Sequence, residues 1–302
     1  MKRPSNYTPF IVQPADHGTE LLPFLMKCLD GASRTKVKGI LSGGGVRVDG
    51  MNTTQFDLVL ARGQRVEISK AKPLATLNNR YVRLVYEDHH LLVVEKQPGI
   101  LSMATRAHSF CVKTLLDDYL HKCHRKCTAH VVHRLDRDTS GLMVYAKTME
   151  AERILEEHWH EIVTDRRYVA LVSGRMERQK GSVESWLKEN KAFFTYSSHV
   201  PDDGKYALTH YRVLQADNRH TLVELQLETG RKNQIRVHMQ DLGHPVCGDP
   251  KYGGHDDNPC RRLCLHAFRL FLRHPVTGEP LRFETPIPKA FREVMQNTSA
   301  TR

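Results

Sequence analysis

The apolar positions follow a helical period over residues 20–42 and mostly a strand period beyond them. From Glu20, Leu21, Leu22, Leu25, Met26 and Leu29 recur at helical spacing, and Gly31 is placed to end that helix. Ser33 is an N-cap residue for a second helix, Arg34 to about Ser42, with Val37, Ile40 and Leu41 facing inward. Arg34, Lys36 and Lys38 cannot all join that apolar face. Gly43-Gly44-Gly45 breaks the helix, and Val46-Arg47-Val48-Asp49-Gly50 alternates as a strand running into a turn. Leu58-Val59-Leu60 and Arg65-Val66-Glu67-Ile68 predict two more short strands. Residues 1–17 lack periodicity and predict a flexible tail. The domain reading is therefore a tail at 1–17, a small module at 18–72, a linker at 73–80 around Pro73 and a large domain at 81–298.

In the large domain, Val82–Asp88 and Leu91–Lys96 read as a hairpin around Asp88-His89-His90, followed by a firm turn at Pro98-Gly99. Thr114–Leu120 predicts a helix, and residues 149–163 predict an amphipathic one with Ala151, Ile154, Leu155 and Ile162 on one side. Tyr168–Val172 has a buried-strand pattern, and residues 199–206 read as a loop or hairpin tip. Val223, Leu225 and Leu227 alternate with polar residues, as a one-sided strand should. Thr229-Gly230 then opens a helix over Arg231–Met239, with Ile235, Met239 and Leu242 on its buried face and Gly243 and Pro245 closing it.

Composition narrows the class. The chain has 302 residues, 40% hydrophobic and 26% charged, as an ordinary globular protein would. No apolar run reaches the length of a membrane span, and the N-terminus has no apolar core of the kind a signal peptide needs. Seven cysteines, an odd number scattered over a long chain, argue against a disulfide framework and for a reducing, cytoplasmic setting. The formal net charge of +11 suggests a polyanionic partner, nucleic acid in preference to membrane. Residues 1–75 hold 11 Lys/Arg against 6 Asp/Glu, so the first quarter is the more basic per residue.

The chemistry concentrates in His133-Arg134-Leu135-Asp136-Arg137-Asp138-Thr139-Ser140-Gly141, a polar nonapeptide between the apolar runs Val131-Val132 and Leu142–Ala146. Charged side chains at the end of a buried strand are costly unless paired, and a carboxylate beside a guanidinium stays ionised, as a nucleophile must. Asp136 and Asp138 also form an Asp-x-Asp pair that could hold a divalent cation, although Arg134 and Arg137 are placed to neutralise both.

This nonapeptide resembles the active-site signature of the RluA-type RNA pseudouridine synthases. The resemblance implies that Asp136 is the catalytic nucleophile and that Asp138 is structural. Three further stretches resemble the same family in the same order, and the resemblance as a whole covers about residues 20–295. Arg166-Arg167-Tyr168-Val169-Ala170-Leu171-Val172-Ser173-Gly174 matches the second motif, which sets Tyr168 against the target base. Without the resemblance, such a tyrosine would read as plain core. Gly230–Met239 and Gly248–Gly253 match the third, with Arg236 as ion-pair partner of the catalytic aspartate and Asn233 where the family usually has His. Leu265–Pro275 matches the last strand motif. The resemblance implies an α+β fold with a mixed, mostly antiparallel sheet. It also implies that Arg134 fills the space left by the flipped base, that Arg231, Gln234 and Ile235 line the substrate site, and that no cofactor is needed. The basic helix with Arg34, Lys36 and Lys38, the glycine loop and the Val-x-Val-Asp-Gly strand resemble the small RNA-binding domain of a ribosomal small-subunit protein. That implies phosphate contacts there, with ribosomal or transfer RNA as partner and a monomer as the default state.

Cys111, His121, Cys123, His124, Cys127, His130 and His133 crowd one window where zinc has to be considered. Their spacing matches structural zinc sites poorly, and Lys122, Arg125 and Lys126 favour a solvated, RNA-facing loop, so no metal is assigned. Two rival classes stay in view. A non-catalytic RNA-binding or ribosome-assembly factor would work without Asp136, and a metal-dependent transferase would need the Asp136/Asp138 pair.

Overall fold

The structure, a computed structural model, describes residues 7–42, 45–53, 55–69, 77, 79–104, 110–123, 126–253 and 257–297. The chain divides into two units, residues 1–77 with 119–125, and residues 78–118 with 126–302. The glycines at 43 and 44 and most of the expected linker lie outside the described residues.

In the first unit, strand β1 (Tyr7–Ile11) precedes helices α1 (Leu21–Cys28) and α2 (Arg34–Ser42), then strands β2 (Val46–Val48), β3 (Met51–Asn52) and β4 (Arg65–Ser69). The strands pair antiparallel in the order β1-β4-β2-β3. Leu21, Leu25, Val37, Leu41, Val46 and Val66 form the core between sheet and helices, each 2% exposed or less. Ser33 caps α2 as read, its hydroxyl accepting from Lys36 N at 3.2 Å. Two expectations need correction. Tyr7–Ile11 is a strand, not part of a loose tail; it carries Pro9 on a sheet edge, where a missing N–H is tolerated. Leu58–Leu60 makes only an isolated bridge, Glu20 with Val59, although Leu60 is fully buried.

The second unit contains β5 (Val82–Glu87), β6 (Leu91–Lys96), the start of α3 (Val112–Cys123, whose residues 119–123 group with the first unit), β7 (His130–Val131), β8 (Ser140–Ala146), α4 (Met149–Glu157), α5 (Trp159–Ile162) and β9 (Val163–Ser173). There follow β10 (Lys180–Glu189), β11 (Thr195–Ser198), β12 (Lys205–Ala216), β13 (His220–Leu227), α6 (Gln234–Asp241), β14 (Leu265–Arg273), β15 (Pro280–Glu284) and α7 (Lys289–Asn297). One sheet runs in the order β11-β10-β12-β13-β9-β14-β8-β6-β5, with β15 on β14 and β7 on β8. All pairs are antiparallel except β14 with β8, so the sheet is mixed and mostly antiparallel, as the α+β expectation required.

The central strands β8, β9 and β14 are apolar on both faces, which is why their sequences read as continuous apolar runs. The parallel join of β8 to β14 depends on Gly141. It sits at φ +124°, and a Cβ there would lie 2.2 Å from the carbonyl oxygen of Ala267. The expected 149–163 helix is two short helices, α4 capped by Thr148 Oγ1 and α5 ending where β9 begins. The third-motif helix starts at Gln234, three residues later than expected, because Asn233 at its N-cap is left-handed (φ 56°).

Candidate active site

Asp136 stands on the loop between β7 and β8, and that loop is held from below. Ser102, 2% exposed, clamps the backbone of one residue on both sides: its hydroxyl donates to Leu135 O at 2.7 Å and accepts from Leu135 N at 3.0 Å. The carbonyl of Arg137 accepts from Gly99 N at 2.9 Å and from Lys96 Nζ at 2.8 Å. Lys96 is fully buried; burial pushes its ammonium down to about 7, against the pull of the Asp138 and Asp136 charges. His133 anchors the loop to β8 by accepting from Val144 N at 2.9 Å, and burial, with the Arg166 charge, pushes its imidazole down to about 3. His133 is therefore neutral near pH 7 and structural. These ties explain the mixture of the nonapeptide: only part of it faces the site.

Opposite the loop, α6 supplies Arg236. Its Nε and Nη2 donate to the two oxygens of Asp249 at 2.7 and 2.8 Å. Its Nη1 donates to Asn233 Oδ1 at 3.0 Å and to Asp136 Oδ2 at 3.3 Å. Asp249 is 1% exposed and also accepts from the backbone of Lys251 and Tyr252. Burial by itself would favour a neutral guanidinium, but Asp249 and Asp136 outweigh it and raise the pKa of Arg236. The guanidinium is thus a fixed cation with one N–H aimed at Asp136. Arg137 pairs with Asp138 at 3.0 Å, so the expectation that Arg134 and Arg137 neutralise both carboxylates holds for Asp138, while Asp136 takes its counter-charge from Arg236.

Asp136 and Arg236 share a cavity with Arg134, Tyr168, Arg231, Asn233, Gln234, Ile235, Leu227 and Leu265. Tyr168 on β9 is 5% exposed; burial raises its phenol pKa, with Asp136 adding to the rise and Arg166 opposing it. Ile235 and Leu265, each 4% exposed, make an apolar wall. Arg134 is exposed at the mouth. Arg231 lies before α6, not within it, and its Nε donates to Tyr206 O at 2.9 Å. Gln234, 2% exposed, spends its amide inside the protein: the NH2 goes to Leu208 O and Thr209 Oγ1, while the oxygen takes the Thr229 hydroxyl and Arg231 N. It shapes the turn that carries Arg231.

The sequence reading did not assign a role to Asp249, although Gly248-Asp249-Pro250 was visible as a motif. Nothing local in a sequence says that one acidic residue, and not a neighbour, reaches a given guanidinium. Arg34, Lys36 and Lys38 belong to the first unit, where all three are exposed on α2. The Cys/His window does not converge. Cys111 is buried, His130 pairs with Glu152, His133 serves β8, and the Cys123 side chain and His124 lie outside the described residues.

Comparison with known proteins shows which family the chain resembles. Residues 90–241 match the RNA pseudouridylate synthase family. The chain is 36% identical over 277 residues to the uncharacterised RNA pseudouridine synthase YjbO of Bacillus subtilis (strain 168), covering 88% of this chain and 95% of that one. The chain belongs to the RNA pseudouridylate synthase family. It is an isomerase that modifies RNA.

Ribosomal large subunit pseudouridine synthase D of Pseudomonas aeruginosa (strain PAO1) is 35% identical over 277 residues, 86% of this chain and 85% of that one. In fold, the chain is like human RNA pseudouridylate synthase domain containing 4, with a TM-score of 0.58 over 72% of this chain and 92% of that one at 24% identity. Pseudouridylate synthase membership agrees with the α+β sheet described above. Among the described residues no helix is long and apolar enough to cross a membrane.

Proposed function

We propose that this pseudouridylate synthase isomerises particular uridines of ribosomal RNA in the cytoplasm, as a monomer, with Asp136 as nucleophile. The observation that carries the reading is Asp136 in the cavity beside a guanidinium that Asp249 holds in place, 3.3 Å away. Pseudouridine formation breaks the N1–C1′ bond of uridine and joins C1′ to C5; the C5 hydrogen leaves as a proton and N1 gains one. No atom is imported and nothing is oxidised, so the chemistry asks for no cofactor.

The target base must leave its stack to reach the cavity. Arg134, exposed at the mouth, fills the space it vacates. Tyr168 lies against the base, and Ile235 with Leu265 keeps water from the reacting carbon. Asp136 acts on the ribose side, and Arg236 steadies its charge as the bond to the base breaks. Exposed Arg34, Lys36 and Lys38 on α2, in the 18–72 module, contact phosphates. Support for ribosomal RNA comes from the relatives named for the large ribosomal subunit.

Pseudouridine mapping of total RNA from cells with and without the gene, complemented by wild type or Asp136→Asn, tests the reading. Particular ribosomal sites should be lost and restored only by wild type. Purified Asp136→Asn should lose roughly 10⁴-fold or more in rate, as enzymes do when a nucleophile is removed. Unchanged maps, or restoration by the Asn variant, would rule the proposal out.

A further inference from the structure

Outside the active-site cavity, three side chains from three segments of the second unit turn toward one point. His220 opens β13, directly across from Ser173 at the end of β9. Cys247 lies in a stretch laced to β9 by Cys247 N to Leu171 O at 2.9 Å and Ser173 N to Pro245 O at 2.9 Å. Asp257 begins the segment leading into β14, and it is tied back by Gly248 N to Asp257 O at 2.8 Å and Cys264 N to Cys247 O at 2.9 Å. The ligand atoms of His220, Cys247 and Asp257 all lie within 4.8 Å of one another.

His220 Nε2 is 2.9 Å from Asp257 Oδ1, and Cys247 Sγ is 3.4 Å from Asp257 Oδ2, which also takes the Ser173 hydroxyl. Cys247 is 1% exposed, and the His220 side chain is 12% exposed. The ring faces the cluster with Nε2, and its buried Nδ1 has no hydrogen-bond partner among the described residues.

We infer that His220, Cys247 and Asp257 form a zinc site. One thiolate, one imidazole and one carboxylate are the mixed donors that this borderline-soft ion accepts, and two negative ligands balance its charge. Tetrahedral zinc places such donors about 3.4–3.7 Å apart. His220 and Cys247 reach different oxygens of Asp257, at 2.9 and 3.4 Å; with one carboxylate oxygen as ligand, every pair of donors lies within 4.8 Å and needs to shift by at most about 1 Å. Binding replaces the thiol proton of Cys247, and a neutral His220 keeps its proton on Nδ1 while Nε2 gives its lone pair to the metal.

A water fills the fourth position. It enters through the hollow bordered by Arg219, His220, Asp257, Asn258 and Pro259, where the Asp257 side chain is 32% exposed. The ion would pin β9 and β13 to the segment that delivers Leu265 to the active site. Nothing in the spacing of the three residues along the chain, 220, 247 and 257, predicts the cluster; only the sheet brings them together.

The test uses the full, tag-free, reduced and metal-stripped protein, titrated with Co²⁺ and read by absorption. Wild type should develop a thiolate-to-cobalt charge-transfer band that saturates at one ion per chain and is displaced by Zn²⁺. Cys247→Ser should lose the band. His220→Ala should bind more than about 100-fold more weakly, a larger loss than removing an outer-shell partner causes. Cys260→Ser is the control for a different sulfur, outside the cluster, and it should keep the band.

Circular dichroism of each variant checks folding. His220→Ala leaves the buried thiol intact and so carries the test if Cys247→Ser does not fold. Zn²⁺ should also raise the Tm of wild type and not that of His220→Ala. No saturable band in wild type, a band that survives in Cys247→Ser, equal binding by His220→Ala, or loss in Cys260→Ser would each overturn the site.

Discussion

Asp136 is placed by residues held in the protein behind it. Ser102 and Lys96 hold its loop, and Asp249 holds the arginine that faces it. The Arg236–Asp249 pair is buried and bidentate, so losing one partner leaves an uncompensated buried charge, which costs about 3–5 kcal/mol. Asp249→Ala should therefore lower unfolding free energy by that amount in a denaturant titration, and Arg236→Met alone should also destabilise. The double variant should lose clearly less than the sum, because the stranded charge is gone. Additive losses would mean that the pair does not act as a unit. Activity should fall in Asp249→Ala even below its unfolding midpoint, since Arg236 then wanders from Asp136.

At the scale of elements, buried histidines join strands and helices while uncharged. His238 on α6 bonds Ser185 on β10 and Thr209 on β12, and His266 on β14 bonds Ser140 on β8 and Thr285. Their exposures are 0% and 2%, and burial pushes both imidazoles down to about 4. The unfolded chain binds these protons near pH 6.5, and the folded chain only near 4. Between those values the unfolded state holds more protons, so stability is full above pH 6.5 and falls as pH drops toward 4. Each histidine should remove about 2 kcal/mol between pH 7 and pH 5. Urea titrations at the two pH values should show a smaller loss for His238→Gln than for wild type; an equal loss would exclude His238 from the acid response.

The helix N-terminus before α6 shows why element boundaries were harder to read than element types. Arg231-Lys232-Asn233 has no residue that forbids a helix, so periodicity starts it at Arg231. What stops it is a set of contacts from elsewhere: Gln234 takes the Thr229 hydroxyl and Arg231 N, and Asn233, left-handed, reaches Arg236 and the Tyr252 hydroxyl. An asparagine tolerates that conformation better than most residues.

For the whole molecule, the charge excess of +11 is a statement about a polyanion and not about the fold. Exposed Arg34, Lys36 and Lys38 should supply affinity, while the cavity supplies chemistry. Replacing all three by Ala should weaken RNA binding and flatten the dependence of log K on log salt by about 0.7–0.9 for each phosphate no longer neutralised. Single-turnover rate at saturating RNA should stay unchanged. A loss of rate with an unchanged salt slope would contradict the division of labour.

Much of the molecule is written in local pattern. Alternation and helical spacing are set by which side chains one element can bury, so the strands around β8, β9 and β14 and the helices α1, α2 and α4 could be read from neighbouring residues alone. The same holds for the nonapeptide, because a stretch so charged between two apolar runs has few places to go. Three things were decided only by tertiary structure: which carboxylate holds Arg236, where α6 begins, and that residues 220, 247 and 257 meet. Each depends on distances between segments far apart in sequence. Those distances follow from sheet order and register, and no periodicity of a single segment contains them.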